Sequence, residues 1–540
     1  MKIKAAYLLR DDRMQITYRD ISERAFLERL PGSVKARNKP QYTATPTPYA
    51  CWLLMKNGYV PDTAVMYLAS DWSMGLKGQD FPAEMKTKTD PWSHQNSAYR
   101  FAYHKPATGL FLDMGTGKTK ITIDLLCNWY HQNVIERPSI IVCPKAVVPH
   151  WPEQFETHGG LDVEVIPLNG SSKKNAATVA KHYRPQKQMV FTINYEATWR
   201  EEIAKELMER KWGAIVCDES HKIKSHNGKG SKFLAKLGQR ADKRLALTGT
   251  PCPNNPGDVF GQFRFLDAGL LGTSWTRFKG DFAMMHPHIE NAVKEWVNQE
   301  ELQEIVSRIS FRVEADDVLD LPDSQNVFVP VILKPKTRKL YEQLKTDLCS
   351  IWNSNEITLD NVLVKLLRLQ QITAGFCPDD DGNLHDIGTE KNEAIAEWLS
   401  DVSPVEPVVL FHTFREERKR LEATCIKQGR RYLEVSGDRH DKETFVSHGK
   451  PGDVLSIQIA AGGTGLDGLQ HRVRVAGYTT AGVNRGDYDQ SLRRILRPGQ
   501  TRKVRNFHFH ARDTVDESIF QSFIKKRSVA DYVMEQVARG

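Results

Sequence analysis

The stretch Gly109-Leu110-Phe111-Leu112-Asp113-Met114-Gly115-Thr116-Gly117-Lys118-Thr119 decides how this chain is read. It runs from an apolar strand-like segment through a glycine turn into Gly-Lys-Thr at the head of a helix-like segment. Glycines let successive backbone N–H groups converge on phosphate oxygens, and the helix N-terminus behind them adds its dipole. Lys118 would reach the terminal phosphates of a nucleotide, and Thr119 would hold Mg²⁺ through its hydroxyl. The usual loop begins with glycine at the position that is Leu112 here. Gly115, Gly117, Lys118 and Thr119 are the expected phosphate and metal contacts.

Working outward, the runs GLFLDM, SIIVCP, QMVFTIN, WGAIVCD and RLALTG read as buried parallel strands, and the polar gaps between them suit helical crossovers. Residues 266 to about 400 read mainly as helix, as in RKLYEQLKTDLCSIW and LVKLLRLQQI. A second alternation follows in PVVLFHTF, YLEVSG, VLSIQIA, RVRVAGY and VRNFHFH. The expected architecture is therefore α/β: two units of parallel sheet separated by a helical segment. The expected boundaries are an N-terminal segment of no recognisable chemistry (1–88), a first lobe (89–268), a mainly helical insertion (269–390) and a second lobe (391–540).

Composition is consistent with this. The 540 residues carry 75 Lys plus Arg against 67 Asp plus Glu, a net charge of +8, with 40% hydrophobic and 26% charged residues. That excludes wholesale disorder, and the mild positive balance permits an anionic partner. No stretch approaches the roughly 18 apolar residues of a membrane span. The start, MKIKAAYLLRDDR, is broken by Arg10, Asp11 and Asp12 and does not read as a secretory signal. The eight cysteines show no CxxC spacing, which argues against a zinc ribbon or redox pair and suits a reducing compartment. A soluble intracellular protein with no membrane partner is expected.

A nucleotide site needs an acidic partner at the end of another strand, and Trp212-Gly213-Ala214-Ile215-Val216-Cys217-Asp218-Glu219-Ser220-His221 supplies it. Asp218 would complete the magnesium shell, and Glu219 would orient or deprotonate the attacking water. Here the chain resembles the Swi/Snf-related class of superfamily-two helicase motors, with Asp218-Glu219-Ser220-His221 as a DEAD/DEAH-type box. The resemblance runs from about Trp92 to Phe520, with the motifs in the family's order. It implies two tandem RecA-like lobes and ATP with Mg²⁺ as cofactors.

Residue by residue, the resemblance implies further roles. Trp92-Ser93-His94-Gln95 resembles the segment whose glutamine, here Gln95, reads adenine. Ile140-Ile141-Val142-Cys143-Pro144-Lys145 and Thr192-Ile193-Asn194-Tyr195-Glu196 resemble segments set against the nucleic-acid backbone, making Lys145 and Thr192 candidate DNA contacts. Leu247-Thr248-Gly249-Thr250-Pro251 resembles the motif coupling ATP to DNA. Asp317-Val318-Leu319-Asp320-Leu321-Pro322 and Leu366-Leu367-Arg368-Leu369-Gln370-Gln371-Ile372 favour the Swi/Snf branch over RNA helicases.

In the C-terminal half, Gln490-Ser491-Leu492-Arg493-Arg494-Ile495-Leu496-Arg497-Pro498-Gly499-Gln500 spaces Arg494 and Arg497 three apart, which predicts one helical face. Arginine stays charged and donates in a fork, and the family places its arginine fingers at these two positions. The rest of the basic run to Arg505 is open to phosphate contacts. The glycine turn Gly462-Gly463-Thr464-Gly465-Leu466-Asp467 follows a strand. By resemblance Gly465 and Asp467 reach the nucleotide, while Gly462 and Thr464 reach DNA. One departure stands out: Val483-Asn484-Arg485 occupies the place of the family's Trp-Asn-Pro, so the aromatic is absent. The Arg-Pro-Gly-Gln ending and short insertions look like compact bacterial or phage members.

The function implied is a DNA-dependent ATPase that translocates on or remodels duplex or forked DNA, with replication or repair proteins as further candidate partners. Two alternatives stand beside it: a strand-separating helicase, and a nucleotide-gated DNA clamp that does not turn over. The expected place is the cytoplasm of a bacterial or phage-infected cell, or the nucleus if the source is eukaryotic.

Overall fold

A computed structural model describes residues 86–253, 255–285, 293–353, 359–379, 383–459 and 468–524, together with short stretches between residues 4 and 66. Contacts divide the chain into two compact units. One is built from Met1–Cys252, Pro256–Met284 and Val293–Val318; the other from Leu319–Gly540 with Pro253–Asn255 and Met285–Ala292.

The first unit is organised by a seven-stranded, all-parallel sheet in the order Ser310–Val313, Ala107–Leu112, Ala241–Leu247, Trp212–Asp218, Ser139–Cys143, Met189–Asn194, Glu164–Leu168. Ala107–Leu112, Trp212–Asp218, Ser139–Cys143 and Met189–Asn194 are buried along nearly their whole length because helices cover both faces. Ile140 and Val142 pack on one face with Ile203, Leu234 and Phe263, and Ile141 and Cys143 on the other with Leu125, Trp129 and Trp151. Alternate side chains of a strand point to opposite faces, so one run of apolar residues fills two cores. The five expected strands are present. The two further strands are the edges, Glu164–Leu168, which is half-exposed and carries Pro167, and Ser310–Val313. Edge strands lack the continuous apolar signature and tolerate proline.

The second unit carries a six-stranded parallel sheet ordered Ser324–Val331, Val504–Ala511, Val475–Tyr478, Val408–His412, Val454–Gln458, Tyr432–Val435. It too has a core on each face, one around Phe411, Tyr478 and Phe520 and one around Leu410, Trp398 and Phe509. Both lobes are thus the expected parallel α/β architecture.

Residues 269–390 do contain the helices Pro335–Asn353 and Leu359–Thr373. The same segment also supplies Ser310–Val313 to the first sheet and Ser324–Val331 to the second, and the division between units falls inside it, at 318/319. Ser324–Val331 opens with three polar residues and is largely exposed along its length, a pattern that hides a strand from a search for buried runs. Near the N-terminus, Val34–Lys35, Gln41–Ala44, Met14–Thr17, Ala5–Leu8 and Val60–Pro61 form a separate five-stranded sheet over a small core of Ala6, Met14, Ile16, Leu27 and Tyr42. Among the described residues no helix is long and apolar enough to cross a membrane.

Candidate active site

In open parallel sheets ligands bind beyond the carboxyl ends of the strands, where the turns into the helices converge. Strand Ala107–Leu112 is wholly buried, and the turn after it delivers the chain to the helix Lys118–His131. Gly117 caps that helix with φ +91°, a conformation that favours glycine, and an added Cβ there would displace the Gln95 amide from its place against the turn. Thr116 Oγ1 donates to the Asp113 carbonyl at 2.6 Å. Gln95 Nε2 donates to the Thr116 carbonyl at 3.1 Å, and His94 Nε2 lies 2.8 Å from the same oxygen. Gln95 also accepts from the Trp92 backbone N–H at 3.0 Å, and its side chain braces the glycine turn from beneath. His94 shares that task without having been singled out in the sequence.

Lys118 turns its ammonium back onto the turn, donating to the Leu112 carbonyl at 2.8 Å and the Asp113 carbonyl at 3.2 Å. Thr119, next on the helix, is half-buried. One strand away across Ala241–Leu247, strand Trp212–Asp218 ends in the acid pair. Burial raises the Asp218 carboxyl first and the neighbouring Glu219 charge raises it further, while Lys118 pulls the other way. The acids and the lysine therefore share one electrostatic environment. Glu219 holds a left-handed backbone, φ 54°, ψ 54°, rare for a residue with a side chain. Its Oε2 lies 3.4 Å from His221 Nδ1, which is 3.1 Å from the Thr248 hydroxyl. Thr248 in turn accepts from the Thr250 N–H at 3.1 Å. The buried Tyr195 hydroxyl donates to the Asp218 carbonyl at 2.7 Å. Spacing gave no hint of that bond, since it joins two distant turns.

These residues fit Mg²⁺ and a nucleoside triphosphate. The glycine turn brings N–H groups and a helix N-terminus to one place, Lys118 supplies a cation there, and Asp218 supplies carboxylate oxygens within the field of that cation. Asp218 and the Thr119 hydroxyl are the groups that would hold the metal.

Of the other candidates, Lys145 is exposed just beyond strand Ser139–Cys143; against the effect of burial, the Glu196 carboxyl is lowered mainly by the Asn194 hydrogen bond, then by Lys222 and least by Lys145. Thr192 lies inside strand Met189–Asn194, fully buried, its hydroxyl donated to the Val148 carbonyl at 3.1 Å. It is thereby a packing residue and not a surface group. In the second unit the helix Arg485–Leu492 stops before both arginines, so the expected shared helical face is corrected to a run of turns. Arg494 N donates to the Ser491 carbonyl at 3.2 Å and Gln500 N to the Arg497 carbonyl at 3.0 Å. Further on, Pro498 lacks an N–H and Gly499 holds φ 94°, so no helix resumes there. Arg494 is buried and Arg497 half-buried. Gly462, Thr464, Gly465 and Asp467 lie outside the described residues.

The SNF2-related domain model matches residues 65–375. The chain is 26% identical over 478 residues to protein p41 of Acyrthosiphon pisum secondary endosymbiont phage 1, covering 84% of this chain and 100% of that one. It is 25% identical over 435 residues to an uncharacterized ATP-dependent helicase of Mycoplasma genitalium, covering 78% of this chain and 40% of that protein. The chain thus spans the phage protein whole but less than half of the Mycoplasma one. Among solved structures, the Sulfolobus solfataricus SWI2/SNF2 ATPase core in complex with dsDNA aligns at 24% identity with a TM-score of 0.41, covering 84% of this chain and 94% of that chain. Because the domain model takes in more than half of its residues, the chain belongs to the SNF2-related family of helicase-like ATPases.

Proposed function

We propose that this protein is a DNA-dependent ATPase that couples ATP hydrolysis to translocation on, or remodelling of, duplex or forked DNA. The observation that carries the proposal is the half-buried acid pair Asp218-Glu219 sharing its field with Lys118 of the glycine turn. On this reading, Lys118 exchanges its two carbonyl partners for phosphate oxygens when nucleotide binds. Glu219, next to the half-buried His221, orients the attacking water and takes its proton. Asp218 and Thr119 would hold Mg²⁺, which supplies charge neutralisation to the phosphates. Arg494 and Arg497 supply further cations to the transferred phosphoryl group, a role worth about 10³–10⁵ in rate in other phosphoryl-transfer enzymes.

For the DNA part, support comes from the sequence resemblance and from exposed cations near the strand ends. Lys145, Arg200, Lys222 and Lys229 are exposed, with the Arg200 guanidinium 4.5 Å and the Lys229 ammonium 5.7 Å from the Trp199 ring centre. Such groups suit sequence-independent contacts to phosphates.

The experiment is steady-state ATPase at fixed low salt with no nucleic acid, duplex, fork, single strand or RNA. Stimulation by duplex or fork is expected, and triplex displacement then tests movement. Stimulation by single strands alone would favour the strand-separating helicase, and by RNA alone would replace the substrate. No hydrolysis in any arm would leave the gated clamp.

A further inference from the structure

The helix Val259–Leu266 follows the Thr248–Pro251 segment and contains, in the apolar run Val259-Phe260-Gly261-Gln262-Phe263, one amide. Gln262 is completely buried. Its Nε2 donates to the Pro251 carbonyl at 2.6 Å and to the Asp258 carbonyl at 3.0 Å. Carbonyls only accept, so the NH₂ must face them and Oε1 is left to face Ser220, whose hydroxyl donates to it at 2.7 Å. One side chain thus joins the residue after Glu219 to the end of the Thr248–Pro251 segment.

Two other contacts lock the same helix to the same turn. An added Cβ on Gly261 would run into the Ile223 carbonyl and stand 2.7 Å from the Lys224 carbonyl, and Lys224 Nζ lies 3.6 Å from Asp258 Oδ2. A left-handed glutamate persists only where its surroundings over-determine it. Here the surroundings begin at Ser220: turn Asp218-Glu219-Ser220 is fixed behind by the Tyr195 bond to Asp218 and ahead by Ser220 on Gln262.

We infer that Gln262 is a positioning residue for the hydrolytic step, holding Glu219 through Ser220 and tying the acid pair to Pro251. The inference rests on the ATPase reading above. Its role is to set where the Glu219 carboxylate points, so its loss should act on turnover and leave nucleotide affinity alone.

The test compares wild type, Ser220→Ala, Gln262→Met and the double variant for ATPase kcat and KM and for thermal melting. Each single variant is expected to lose roughly tenfold in kcat with KM for ATP within about twofold, as when the support of a reacting group is removed. The double variant should lose no more than the worse single, because either change breaks the same link. Unchanged kcat in Ser220→Ala, or losses that multiply in the double variant, would overturn the inference. If Gln262→Met does not fold, Ser220→Ala alone decides, because it removes one oxygen and leaves the helix packing intact. A wild type without ATPase activity would instead sink the function on which the inference stands.

Discussion

On the proposed reading Glu219 and Arg494 play separate parts in hydrolysis, and single substitutions distinguish them. Glu219→Gln keeps size and hydrogen bonding but removes the base, so it should bind ATP while losing about 10²–10⁴ in kcat. ATPase assays beside nucleotide-binding titrations check this, and wild-type turnover would reject Glu219 as the base. Arg494→Ala should lose hydrolysis while nucleotide affinity stays within several-fold; a loss of affinity alone would mean ground-state binding. A different residue governs acid stability. His508 lies against Tyr478, Phe328 and Phe520, with Asn326 Oδ1 at 3.4 Å and the Tyr488 hydroxyl at 3.5 Å. Burial, then the charge of His510, lowers its imidazole from 6.5 to about 3. The unfolded chain therefore takes up this proton first, and the contribution to stability is complete above about 6.5 and lost as pH falls toward about 3. Melting curves should show His508→Phe losing less stability than wild type between pH 7 and pH 5, by on the order of 2 kcal/mol.

At the scale of elements, the sheet of the first unit does its work through the turns at its carboxyl edge. The helix Val259–Leu266 is the clearest case, since Gly261 lets its backbone lie directly on the turn that follows the acid pair. Backbone cannot swing aside as a side chain can. Gly261→Ala should therefore cost about 1–3 kcal/mol by overpacking and reduce ATP turnover with it, read by thermal melting and kcat. An unchanged melting point would mean that helix and turn separate easily. The element-level reading of the sequence succeeded where strands are buried, the edge strand Tyr432–Val435 included, and failed at the three solvated edges. Glu164–Leu168, Ser310–Val313 and Ser324–Val331 are partly solvated, and each begins with a polar residue or carries a proline, which breaks the continuous apolar run. The N-terminal sheet escaped notice for the same reason: its strands are two to four residues long, too short for periodicity to register.

For the whole molecule, DNA binding through phosphates carries a salt signature. If Lys145, Arg200, Lys222 and Lys229 each meet a phosphate, log affinity should fall against log salt with a slope of at least about −3 to −4. Lys145→Ala should make that slope shallower by about 1, measured by fluorescence titration on two unrelated duplexes with equal effect. An unchanged slope would remove Lys145 from the interface. Sequence alone determined the glycine turn, the acid pair, the parallel α/β class and the order of motifs, because phosphate chemistry and two-sided burial demand particular residue types within a few positions. Tertiary structure decided the remainder: Thr192 is packed inside a strand, Arg494 follows a helix end, Gln95 braces the turn, and Gln262 ties Ser220 to Pro251. These are contacts between residues far apart in the chain, and a buried hydrogen bond leaves no periodicity in the sequence that makes it.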